Sequence, residues 1–469
     1  MIENFNIKNI CCIGAGYVGG PTMAVIAKHC KQIQVHVVDI NKERISLWND
    51  KDLNKLPIYE PGLKEIIKEC RNRNLHFSTN VDDEISKADM IFISVNTPTK
   101  EKGIGAGQAS DLKWVEASAR RISKCAQGRT IVVEKSTLPV KTAETIKKIL
   151  ESSKKYSKNN AKKDINNFYI LSSPEFLAEG TAINDLENPD RVLIGGDDND
   201  AIIALEDVYL NWIEKKKILR TNLWSSELSK LTANAFLAQR ISSINSISSL
   251  CEETGADIKE VSKAIGMDKR IGSKFLNSGP GFGGSCFKKD ILNLVYLCNF
   301  YGLEEVGSYW KKVLELNDWH QNRISKIIIS KLFGNLFNKK LAILGFAFKA
   351  DTNDTRESPA ISICKDLLLE GAFLSIYDPK VEIKQIHNDL FKNGDDNSKV
   401  CVASTIQESV EHADAIIILT EWEEFKKINW SKIVPLMRKP SWLFDTRGII
   451  NSENLKSLGI NFWAVGKAN

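Results

Sequence analysis

Two short stretches of this chain carry residue types at spacings that could do chemistry. The first is Gly279-Pro280-Gly281-Phe282-Gly283-Gly284-Ser285-Cys286-Phe287-Lys288-Lys289-Asp290, one cysteine on a glycine-rich loop with an acid four residues on. A helix starting near Ser285 would place the sulfur at a positive dipole end, and Lys288 and Lys289 would add charge. Asp290 would share the thiol's helical face, where it could hold a water or orient the sulfur. The second stretch is Gly14-Ala15-Gly16-Tyr17-Val18-Gly19, which follows an apolar run and is followed by Asp39, 25 residues after Gly14. That is a dinucleotide fingerprint: Gly14 for a tight turn, Gly16 for close approach of a pyrophosphate, Gly19 for helix–strand packing. Asp39 would bond the adenosine ribose and repel a 2′-phosphate, favouring NAD over NADP, with Arg44 along the adenine. A hydride acceptor alone takes an alcohol to an aldehyde. With a thiol that captures the aldehyde as a thiohemiacetal, a second hydride can leave, so the pair implies a four-electron oxidation.

Further residues stand at spacings that fit this chemistry. Lys230 and Asn234 lie four apart on a long helical pattern, where a part-buried lysine could carry a proton or meet an oxyanion. A snorkelling lysine and a solvated asparagine fit that spacing too. Glu175 and Glu179, in Pro174-Glu175-Phe176-Leu177-Ala178-Glu179-Gly180, could supply a base and a partner, or simply favour a helix start.

The elements needed to position these groups are legible as two α/β halves. Residues 7–40 form one βαβ unit, and apolar runs at 90–95, 130–134, 168–171 and 192–196 extend a parallel sheet buried on both faces. Ligands in such sheets gather beyond the strand ends, so residues 96–98, 135–137 and 173–175 are candidate site loops. Residues 223–253 predict a helix of about 28 residues capped by Ser225, a connector and candidate dimer surface. Residues 339–379 repeat the opening logic, with strands at 341–344 and 373–377 around the turn Gly345-Phe346-Ala347-Phe348-Lys349, and further strands follow at 415–419 and 442–444. The expected architecture is α/β: two Rossmann-like, doubly wound parallel-sheet domains joined by a long central helix and a helical middle region. The division is 1–221 for the NAD domain, 222–335 for the connector and dimerisation region, and 336–469 for a second nucleotide-type domain. The Lys/Asn-rich segment 151–167 reads as a solvated surface loop.

Bulk properties narrow the function class. Among 469 residues, 64 are basic and 59 acidic, a net charge of +5, which implies a mixed surface and no nucleic-acid partner. Ten cysteines without regular spacing imply reduced thiols, a cytoplasmic location and no metal site. No apolar run approaches the roughly 18 residues that would cross a bilayer.

Taken with Ile93-Ser94-Val95-Asn96-Thr97-Pro98-Thr99, Glu134-Lys135-Ser136-Thr137, Ser226-Glu227-Leu228-Ser229-Lys230, Asn234-Ala235-Phe236 and residues 345–358, these stretches resemble the UDP-glucose/GDP-mannose dehydrogenase family in its animal-type form. The resemblance implies oxidation of UDP-glucose to UDP-glucuronate by two NAD. It implies Cys286 as nucleophile, Lys230, Asn234 and Asp290 as handlers of alkoxide, oxyanion and water, and Glu175 as base for thioester hydrolysis. Gly14, Gly16, Tyr17, Val18, Gly19, Asp39, Arg44, Val95, Thr97, Ser136, Thr137, Glu179 and Arg356 fall on the NAD side, with Thr137 also counted as catalytic. Glu175, Phe176, Leu177, Lys230, Asn234, Phe275, Phe282, Gly283, Phe348, Lys349 and Arg447 fall on the substrate side. Arg270 matches a residue that reaches a neighbouring subunit's site, implying a homo-oligomer, a hexamer built from dimers. Pro280 and Gly448 depart from the animal pattern. Other readings stay open: another nucleotide sugar, a two-electron hydroxy-acid dehydrogenase, or a binding protein on an old scaffold.

Overall fold

The computed structural model describes residues 5–152, 167–392, 396–453 and 455–468. Most of the Lys/Asn-rich segment, residues 153–166, lies outside the described residues. The chain divides into two compact units, residues 1–233 with 292–300 and residues 234–291 with 301–469.

The first unit is built on an eight-stranded sheet: β1 (Asn9–Ile13), β2 (Gln34–Val38), β3 (Leu75–Ser78), β4 (Met90–Ile93), β5 (Arg129–Glu134), β6 (Asn167–Ser172), β7 (Val192–Gly196) and β8 (Ile218–Thr221). The order is β3-β2-β1-β4-β5-β6-β7-β8, and β1 to β6 are parallel. The expected all-parallel extension fails at one edge: β7 pairs antiparallel with β6, and β8 runs with β7. An apolar run carries no direction, so strand polarity was not readable from it. The short strands β3 and β8 were not foreseen. Both faces are covered. Cys12, Phe92 and Val133 belong to one core, while their neighbours Cys11, Ile91 and Val132 belong to the other. This is the two-residue period of a strand buried on both sides.

The second unit carries a six-stranded parallel sheet: β9 (Lys340–Leu344), β10 (Phe373–Tyr377), β11 (Val400–Val402), β12 (Ala415–Ile418), β13 (Ser441–Asp445) and β14 (Ile460–Ala464). Its order, β11-β10-β9-β12-β13-β14, repeats that of the first six strands. In both sheets the chain therefore reverses winding between two adjacent strands, where α/β sheets open a crevice for ligands.

The long helix spans Leu223–Thr254, 32 residues. Asn222, rather than Ser225, caps it, its side-chain oxygen accepting the Ser225 N–H at 2.8 Å. Its first residues belong to the first unit and the remainder to the second. Among the described residues no helix is long and apolar enough to cross a membrane.

The fingerprint turn shows why glycine is required. Gly14 adopts φ +111°, and a Cβ there would sit 2.2 Å from the Ser94 carbonyl oxygen. At Gly19 a Cβ would lie 2.0 Å from the Gly14 carbonyl oxygen. Gly19→Ala should therefore lower the unfolding free energy by about 1–3 kcal/mol through overpacking against rigid backbone. A denaturant midpoint unchanged from wild type would contradict this.

Candidate active site

The fingerprint turn closes on a carboxylate. Asp39, at the end of β2, accepts the Ala15 N–H at 3.0 Å and the Asn41 N–H at 2.9 Å. Arg44 turns back onto it at 3.2 Å, so in this structure its partner is Asp39. The helix Gly19–His29 that follows has no side-chain cap and no acid in its first turn. A Cβ on Gly16 would meet nothing within 4 Å. An open turn against an uncapped helix start, with an acid at the next strand end, fits a dinucleotide's pyrophosphate and ribose.

Beside it, the loops after β4 and β5 are tied together. Ser136 donates its hydroxyl to the Val95 carbonyl at 2.7 Å, and Thr97 donates to the Thr137 carbonyl at 3.1 Å. The structure thus gathers Val95, Thr97, Ser136 and Thr137 into one cluster. Tyr17 and Leu177 pack on the core beneath. Val18 closes the turn in helical conformation.

The loop after β6 carries Glu175, Phe176, Leu177 and Glu179. Glu175 contacts Lys135 at 3.0 Å, and the Phe176 ring lies under Arg191 at 3.8 Å and Lys230 at 5.2 Å. Glu60 holds the loop's far end by accepting the Gly180 N–H at 2.8 Å and the Ala182 N–H at 3.1 Å. At the end of β5 sits a further pair that the sequence reading missed. Burial, reinforced by repulsion from Glu227, pushes the Glu134 carboxyl well up. Burial likewise raises Glu227, although it accepts the Lys141 and Ala143 N–H groups at 2.7 and 2.8 Å. Both carboxyls are thereby held above the usual carboxylate range. An acid ending an otherwise apolar strand was the available signal.

In the second unit, Cys286 is exposed and lies one residue before the helix Phe287–Phe300. Its sulfur is 3.5 Å from the Ser285 hydroxyl. The Asp290 N–H donates to the Cys286 carbonyl at 2.9 Å, closing the first turn. Asp290 is buried, and Asn234 donates to its carboxylate at 2.6 Å. Asn234 is therefore not solvated. Lys289 lies 3.7 Å from Asp290. Lys288, expected to lend its charge to the thiol, is neutralised by Glu357 at 2.8 Å.

The glycine loop is held by the helices around it. Asn245 accepts the Gly279 N–H at 2.9 Å, His320 donates to the Gly279 carbonyl at 2.9 Å, and Asn317 grips the Phe282 N–H and carbonyl at 2.9 and 3.3 Å. None of the three clamps was foreseen, since each is an ordinary polar residue in a helical pattern. Gly283 and Gly284 leave room for Phe348: a Cβ on Gly283 would lie 3.0 Å from the Phe348 Cβ, and one on Gly284 would lie 3.1 Å from its ring. Arg447 donates to the Phe348 carbonyl at 2.8 Å and meets Glu421 at 3.1 Å. Lys349 lies over the Phe348 ring at 5.6 Å. Phe282, Gly283, Phe348 and Arg447 are thus neighbours. Arg356 forms an ion pair with Asp354 at 2.7 Å. Arg270 pairs with Asp268 at 2.6 Å on an exposed turn, and Phe275 adopts φ +61°. Among the described residues no group of acids, histidines and cysteines could hold a metal ion.

Family models match three consecutive parts of the chain: the NAD binding domain of the UDP-glucose/GDP-mannose dehydrogenase family at residues 8–213, its central domain at 224–319 and its UDP binding domain at 342–452. The chain belongs to the UDP-glucose/GDP-mannose dehydrogenase family. It is an NAD-dependent dehydrogenase of that family. It is 55% identical to UDP-glucose 6-dehydrogenase of Bos taurus over 474 residues, covering 99% of this chain and 94% of that protein. It is 54% identical to UDP-glucose 6-dehydrogenase 4 of Arabidopsis thaliana, covering 98% and 97% respectively. A UDP-glucose dehydrogenase from Pyrobaculum islandicum superposes with a TM-score of 0.84 at 28% identity over 100% of both chains.

The family's first domain binds NAD, so Asp39→Ala should raise the NAD dissociation constant at least tenfold and leave UDP binding unchanged, by calorimetry. Equal losses for both ligands would contradict the assignment of Asp39. His320 gives a pH prediction. Burial, helped by Arg323, lowers its pKa to about 4. The unfolded chain takes up this proton near pH 6.5, the native protein only near 4. Stability from this residue is complete above that upper value and falls by about 1.4 kcal/mol per unit as pH drops between the two. His320→Gln should flatten that slope in denaturant titrations.

Proposed function

We propose that the protein oxidises UDP-glucose to UDP-glucuronate in two hydride transfers through a covalent intermediate on Cys286. The observation that carries this reading is an exposed thiol one turn from a buried, hydrogen-bonded Asn234–Asp290 pair. A two-electron dehydrogenase needs no such thiol. The names of the relatives above support the choice of sugar.

NAD, when bound against residues 14–19, supplies a hydride acceptor for each oxidation. Lys230, with Asp290 and a water, takes the C6 hydroxyl proton. Cys286 then adds to the aldehyde carbon, its proton leaving through the same groups, and Lys230 with Asn234 stabilises the oxyanion. The second oxidation converts the thiohemiacetal to a thioester. Glu175 takes a proton from water, the carbonyl–sulfur bond breaks, and the thiolate is restored as the acid leaves. Thr137 and Glu179 border the nicotinamide. Phe282, Gly283, Phe348, Lys349 and Arg447 hold the nucleotide sugar. Phe275 lies on the substrate side, and Arg270 serves a neighbouring subunit's site in a homo-oligomer, a hexamer built from dimers, for which the exposed Phe236, Leu250 and Met267 offer apolar surface. The working domains are 1–221, 222–335 and 336–469, and the enzyme acts in the cytoplasm.

Two NADH per UDP-glucose, with the acid as product, is the expected stoichiometry. Cys286→Ala should abolish acid formation. Wild-type acid formation in that variant would remove the covalent scheme, and turnover confined to a different nucleotide sugar would reassign the substrate.

A further inference from the structure

Lys135 is completely enclosed at the end of β5, yet carries a charge. Its Nζ lies 3.0 Å from Glu175 Oε2 and donates to the Tyr209 hydroxyl at 3.0 Å, with the Tyr209 ring centroid 5.5 Å away. Burial works to lower the lysine's pKa, but Glu175 and then Tyr209 more than offset it, and the net shift is upward. The lysine therefore stays an ammonium throughout the working pH range.

A buried ion pair is an expensive way to fill space. An apolar side chain of similar volume usually packs at equal or lower cost, because two desolvated charges recover their hydration only through exact mutual geometry. Three separate elements meet to build this one: β5, the loop after β6, and the end of the helix Asn199–Tyr209. The carboxylate is fixed at both oxygens, since Oε1 accepts the Phe176 N–H at 2.8 Å while Oε2 faces the lysine. Yet Glu175 keeps 14% of its side chain exposed, whereas Lys135 keeps 3%. The cation is sealed in and the carboxylate is left reachable.

We propose that Lys135, backed by Tyr209, is a positioning residue for Glu175: it holds the carboxylate in a single orientation and supplies its counter-charge, so that the free edge can take a proton from the water that hydrolyses the thioester. The inference rests on the reading of Glu175 as that base. In the step served, water oxygen bonds to the acyl carbon, the carbon–sulfur bond breaks, sulfur leaves as thiolate and the water proton passes to Glu175. Lys135 exchanges no proton.

The test compares Lys135→Met, Tyr209→Phe and Glu175→Gln in the full-length enzyme. Quenched turnover is followed by intact-protein mass for the acyl adduct and by the NADH burst for the oxidation steps. Glu175→Gln should accumulate adduct. Lys135→Met should accumulate it too, with hydrolysis at least tenfold slower, an unchanged NADH burst, and a hydrolysis pH profile displaced from that of the wild type, because the base has lost its counter-charge. Tyr209→Phe should slow hydrolysis less. A Lys135→Met enzyme that hydrolyses at the wild-type rate and pH dependence, while Glu175→Gln accumulates adduct, overturns the proposal and leaves the base assignment standing. Absence of adduct in Glu175→Gln overturns both. If Lys135→Met does not fold, Lys135→Gln carries the same comparison.

Discussion

A backbone run such as residues 279–284 has few side chains with which to hold a shape, and glycine loses more freedom on ordering than any other residue. The constraint comes from outside the loop. Asn245, Asn317 and His320 each spend a buried side chain on a loop N–H or carbonyl. Between them they convert a glycine-rich segment into a fixed platform for Cys286. The clamps also explain the loop's composition: at Gly281, with φ +128°, a Cβ would fall 2.8 Å from the Asn317 amide oxygen. Side chains on the loop would displace the groups that hold it.

The same economy recurs at the two sheets. In each, the second strand of a βαβ unit ends in an aspartate whose carboxylate takes N–H groups of the turn after the first strand. Asp39 does this for Ala15, and Asp378 does it for Phe346 and Ala347 at 2.7 and 3.0 Å. The turns are held tightly without any bulk on the ligand side. Charge is managed likewise by pairing: Lys135 with Glu175 and Asn234 with Asp290. Glu175 is anchored on one side by Lys135 and keeps part of its side chain exposed, which is how a site gains direction without losing access.

Much of this was legible beforehand. Apolar runs located ten of the fourteen strands among the described residues because a strand buried on both faces has to be apolar throughout, and the fingerprint turn was readable because the sterics at Gly14 and Gly19 admit glycine alone. The short strands β3, β8, β11 and β14 escaped, and the antiparallel β7 was misread, since neither length nor direction is written in hydrophobicity. Lys288 illustrates the limit at the site: its charge is plain in the sequence, but Glu357, 69 positions away, cancels it.

What the sequence determined by itself was the family and its NAD-dependent oxidation, because the fingerprint glycines and the other motif residues lie within a few positions of one another and local spacing is a sequence property. What only the tertiary structure decided was the electrostatic setting of those groups. Which lysine faces Glu175, which amide meets Asp290 and which imidazole holds Gly279 all depend on contacts across 40 to 56 residues of chain. Such pairings arise when sheets and helices close on each other, and no local pattern encodes them.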